Sequence, residues 1–121
     1  MLPLEDVHLS YAGNFPPEAP IHRALRSLQP GDRLTLRTAT DNGLALHHPD
    51  GTCVARLSRK GNARWADRAE SIREARVVAM VQRSAAQDAD PERRDRCRAE
   101  EWEVPLVELV YEIEPLQGPA R

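Results

Sequence analysis

The sequence predicts a mainly β fold, a small six-stranded barrel with two short helices, and three observations lead there. Apolar residues come in short runs of β type, with turn signals roughly every eight to twelve residues. Two of those turns, Asp41-Asn42-Gly43 and Pro49-Asp50-Gly51, are of hairpin type, because glycine takes positive φ at no steric cost. No βαβ alternation with long crossovers and no internal repeat is visible. At 121 residues the chain fits one domain with a single core. Residues 1–114 are assigned to it, and 115–121 to a flexible tail.

Val7, Leu9 and Tyr11 alternate with His8 and Ser10, the pattern of a first strand with one buried face. Ile21, Ala24, Leu25 and Leu28 then recur at helical spacing, with Pro20 acceptable in the first turn. Leu34 and Leu36 alternate with Arg33, Thr35 and Arg37, a half-buried strand, and 44–47 and 52–57 supply the next two. Asn62 is placed to cap a second helix that turns Trp65, Ala69 and Ile72 inward. Ala75–Val81 is apolar on both faces except for Arg76 and predicts a central strand buried on both sides. The charged stretch Gln82–Ala99 is expected to be an exposed loop, with a helical turn or two after Pro91. Glu101–Ile113 is a long last strand in which Pro105 calls for an edge or a bulge.

Composition narrows the function classes. The hydrophobic share is 40%, the charged share 30% and the aromatic share 4%, so Leu, Val, Ala and Ile must build the core. No apolar run approaches the roughly 18 residues that cross a bilayer, and the first residues lack the basic and apolar regions of a signal peptide. Two lone cysteines define no disulfide framework. A cytoplasmic location follows as the expectation. The net charge is −2, but residues 31–83 carry +4 and residues 87–114 carry −6. A basic middle with an acidic end is compatible with nucleic acid on one face.

Catalytic and metal chemistry find little support. Cys53, Cys97, His47 and His48 lack the paired short spacing of a zinc site. Neither a nucleophile elbow around Ser58 nor a glycine-rich phosphate loop is present. No metal, no cofactor and no enzymatic activity are expected. The distinctive feature is a basic corner: Arg56, Arg59, Lys60 and Arg64 fall where a strand ends and a helix begins, a place suited to an anion. A solvated, arginine-rich surface is the competing account. Trp65 reads as core rather than as a stacking platform, and Tyr11 as a reachable ring.

Three stretches together resemble a HIRAN domain, the small β-barrel module attached to DNA helicases and repair enzymes: Leu28–Arg37, Asp41–Leu46 and Asp50–Lys60. The run Val54–Lys60, the helix with Trp65, Ile72–Val77 and Glu101–Pro105 are also similar to a C-terminal accessory region of some bacterial RecQ-type DNA helicases. The likeness lies in order and pattern. The loop at Asp41-Asn42-Gly43 is shortened, and Ala55-Arg56 stands where the family has glycine and a following residue. The resemblance implies a non-catalytic module that binds single-stranded DNA at a free 3′ end, acting as a monomer beside the other domains of a parent helicase. It would use Tyr11 for stacking, Asp41 and Asn42 for a terminal hydroxyl, and Arg56, Arg59, Lys60 and Arg64 for phosphates. The alternative is a protein-interaction or intramolecular docking domain with no nucleic-acid ligand, using the acidic Glu100–Glu103 stretch. A purely structural extension is a third possibility.

Overall fold

The computed structural model describes residues 2–39, 43–87 and 91–111. The expected tail and the loop pair Asp41 and Asn42 lie outside the described residues. Five strands, β1 (Arg33–Thr38), β2 (Leu44–His47), β3 (Cys53–Arg56), β4 (Ile72–Ser84) and β5 (Glu101–Tyr111), form one antiparallel sheet in the order β3-β2-β1-β4-β5. Three short helices accompany it: α1 (Pro20–Arg26), α2 (Arg59–Trp65) and α3 (Pro91–Arg96), the last being the helical turn expected after Pro91. The mainly β class holds, whereas the six-stranded barrel does not, because the sheet stays open between β3 and β5.

The missing sixth strand explains the open sheet. Val7 pairs with Leu57 in one isolated bridge, and single 3₁₀ turns at Leu4–Asp6 and Ala12–Asn14 stop the ladder on either side. The segment serves as a strap instead. The Leu2 N–H donates to the Val107 carbonyl on β5, and the His8 N–H donates to the Arg56 carbonyl on β3, each at 2.8 Å. One segment thus touches both edges of the sheet without becoming a strand. The expected alternation does not hold: Val7 is buried, but the chain turns at residues 9–11, where Ser10 is buried and Leu9 and Tyr11 are half-buried.

The hairpin signals fare better. Around Pro49-Asp50-Gly51, Gly51 sits at φ 95°, and the Asp50 carboxylate accepts the Thr52 N–H at 2.8 Å. That bond is the leading cause of an Asp50 pKa below the ordinary 3.8. Strand β1 buries Leu34 and exposes Arg33, Thr35 and Arg37, as the alternation requires. The core gathers Leu25, Leu46, Val54, Val77 and Val107, all fully buried. Side chains of this size contribute about 1.5–3 kcal/mol each on burial.

Three expectations need correction. Strand β4 continues to Ser84, so Gln82, Arg83 and Ser84, expected in a loop, pair with Glu103, Trp102 and Glu101. It is not buried on both sides either: a bulge between Val77 and Ala79 leaves Val78 42% exposed. Ser58, and not Asn62, caps α2. Its Oγ accepts the Gly61 N–H at 3.1 Å, while Asn62, inside the helix, accepts the Leu44 N–H through Oδ1 at 2.8 Å. Strand β5 matches its expected start and is an edge strand, with Pro105 fully buried opposite Met80.

Candidate functional site

The corner between β3 and α2 is fastened to the strap by backbone. The Ser58 N–H donates to the Asp6 carbonyl at 2.8 Å, and the Ser58 hydroxyl donates to the Glu5 carbonyl at 2.6 Å. Gly61 lies so close that an added Cβ would stand 2.0 Å from the Asp6 carbonyl oxygen. No other residue type fits there without moving the strap.

This junction forms one wall of a cleft of about 650 Å³. Leu4, Val7, Leu9 and Leu57 give it an apolar floor, and Arg59 and Lys60 stand on its α2 side. Arg83, from the end of β4, and Arg96, from α3, line it as well. Glu5 is the one carboxylate among its described lining residues. Four cations from three elements therefore converge on a groove with a single opposing charge. Arg59 makes no ion pair among the described residues, and the Arg83 Nε is buried without a hydrogen-bond partner among them. Arg96 reaches Glu92 at 3.8 Å on an exposed helix face, a pairing of little strength.

The residues singled out by sequence divide between places. Arg59 and Lys60 line the cleft. Arg64 is exposed, but its guanidinium reaches back to within 3.5 Å of the Asp6 carboxylate and 3.5 Å of Glu5. Arg56 ends β3 and lies near Tyr11, outside the cleft lining. Tyr11 also stays outside it: its ring meets the Phe15 edge with centroids 5.2 Å apart, and its hydroxyl donates to the Cys53 sulfur at 3.5 Å. Burial first, and the Cys53 contact second, hold the Tyr11 hydroxyl well above the ordinary tyrosine value of 10.0. Asp41 and Asn42 lie outside the described residues. Trp65 is core, with 9% of its surface exposed, and its indole N–H donates to Asp6 at 3.3 Å. Arg83 and Arg96 were missed by sequence reading, since only the strand register and the placement of α3 bring them to the corner.

Elsewhere, the acidic face of the basic middle is already taken up. Glu74 pairs with both Arg33 and Arg76, which removes two cations from any general basic patch. A second cluster has the outline of a hydrolase relay. Ser27 Oγ is 2.9 Å from His48 Nε2, and His48 Nδ1 is 3.2 Å from Asp50 Oδ1. The Asp50 N–H also lies 3.0 Å from His48 Nδ1, and the Ser27 hydroxyl donates to the Ala24 carbonyl at 2.7 Å. These contacts tie α1 to the β2–β3 hairpin. Among the described residues no group of three or more His, Cys, Asp or Glu could hold a metal ion, and no helix is long and apolar enough to cross a membrane.

Comparison with protein-family models, curated proteins and solved structures finds no match for this chain.

Proposed function

We propose that the chain is a non-catalytic module that holds a phosphate backbone, most suitably of single-stranded DNA, in the cleft between the strap, α2 and the far end of β4. The observation that carries this reading is the convergence of Arg59, Lys60, Arg83 and Arg96 on one groove containing a single carboxylate, Glu5. Cations on separate elements, spaced around a groove, suit a chain of phosphates better than one small anion. His8 is the one ring among the described lining residues, beside four aliphatic side chains, so backbone charge more than base stacking provides the affinity, and the salt dependence should be correspondingly clear. The HIRAN-like pattern adds the context of an accessory unit in a larger helicase or repair enzyme of the cytoplasm or nucleoid, working without metal or organic cofactor. With Tyr11 outside the groove, discrimination of a 3′ end is no part of this proposal.

The test is a titration of fluorescein-labelled oligo(dT) by anisotropy, repeated between about 50 and 200 mM salt. Binding that weakens with salt and is clearly weaker in Arg59→Ala combined with Arg83→Ala supports the reading. Absence of binding at the lowest salt, or binding indifferent to both changes, refutes it. A second reading, a docking domain within a larger enzyme, draws on the apolar surface left by Val78, Val110 and Tyr111, each 36–42% exposed on β4 and β5.

A further inference from the structure

The cleft contains its own competitor. Glu5 rides on the 3₁₀ turn of the strap, and its carboxylate lies 3.6 Å from Lys60 Nζ and 3.5 Å from Arg64 Nη2. The turn carrying it is held at its backbone by the Ser58 hydroxyl, which donates to the Glu5 carbonyl. The side chain itself remains about half exposed. Its position is thus fixed while its charge is held only by solvent-exposed ion pairs, which are weak.

We infer that Glu5 acts as a tethered phosphate mimic, occupying the Lys60 end of the cleft until a phosphate backbone displaces it. This rests on the reading of the cleft as a phosphate-chain site. A tethered group competes at a high effective concentration, so an isolated inorganic phosphate is kept from Lys60. A strand already held at Arg59, Arg83 and Arg96 delivers its next phosphate from an equally short tether and can replace the carboxylate. The device selects polyanions over single anions. It also leaves a mark on the salt dependence. A phosphate that reaches Lys60 by displacing Glu5 releases no net counterion there, because the expelled carboxylate takes one up.

Glu5→Gln keeps the side-chain shape and the backbone hydrogen bond, and it should melt with the native protein. Oligo(dT) affinity at low salt should rise about three- to tenfold. The slope of log affinity against log salt should steepen by about 0.7, the value of one further phosphate on a single strand. Lys60→Ala should cost more affinity in the Glu5→Gln background than in the native one. If the native protein binds and Glu5→Gln binds equally or more weakly, with an unchanged slope, the mimic is overturned while the cleft reading survives. If neither protein binds at low salt, both fall together.

Discussion

Arg59 and Arg64 belong to one seven-residue helix, yet their guanidinium groups have opposite surroundings. Arg64 turns toward a wholly buried carboxylate, Asp6, which also accepts the Trp65 indole N–H. Arg59 stands over an open groove with no ion pair among the described residues. The difference comes from the strap: Asp6 lies against the face of α2 that carries Gly61, Arg64 and Trp65, and Arg59 stands off that face. One arginine is spent on holding the corner together, and the other remains available to a ligand. Counting basic residues along the sequence merges the two.

The sharpest way to break this contrast is to remove its buried side. Trp65→Ala should cost about 3–5 kcal/mol, read as a lower urea midpoint. Asp6→Ala, which leaves the indole N–H and Arg64 without their acceptor, should cost about 2–3 kcal/mol. A loss under about 0.5 kcal/mol would show that Arg64 is as solvent-directed as Arg59. On the open side, Arg59→Ala with Arg83→Ala should leave the urea midpoint within about 0.5 kcal/mol of native. The same pair should lower the salt slope for oligo(dT) by about 1.4, two contacts on a single strand. A stability loss as large as that of Asp6→Ala would place both arginines in the framework.

The smallest effect at neutral pH is expected for Tyr11→Phe, which removes only a long hydrogen bond to sulfur. Its consequence is alkaline. The folded protein holds the Tyr11 proton more tightly than the unfolded chain does, so this stabilisation is complete below pH 10 and is lost progressively above it. Tyr11→Phe should therefore flatten the alkaline limb of a stability profile measured by urea unfolding. An identical limb in the two proteins would mean that the hydroxyl is solvated.

What the sequence disclosed follows from which interactions are local. The strands around Leu34, Leu46 and Val54, the turn at Gly51, the start of α1 at Pro20 and the buried Trp65 are written in short-range patterns of burial and backbone preference. The strap was not legible, because Val7, Leu9 and Tyr11 alternate in sequence while the chain turns at residues 9–11 and buries Ser10 instead. Ser58 and Asn62 are both capping residue types four positions apart, and the choice fell to a sheet contact: Leu44 needed an acceptor, and Asn62 supplies it. The bulge that exposes Val78 depends on the register with β5. Half of the cleft's cations were hidden for a similar reason. Arg83 and Arg96 lie in a stretch that reads as loop, and only the extended pairing of β4 with β5 carries Arg83 back toward the corner.

The outer margin of β5 has a consequence for self-association. The Val107 carbonyl, taken by Leu2, points away from β4, and Pro105, two residues along, faces the same way by the pleat. A foreign chain trying to zip onto this rim would meet an imide nitrogen with no hydrogen to offer, and one carbonyl already engaged. Fibril-like stacking is thereby discouraged at the longer of the two edge strands among the described residues.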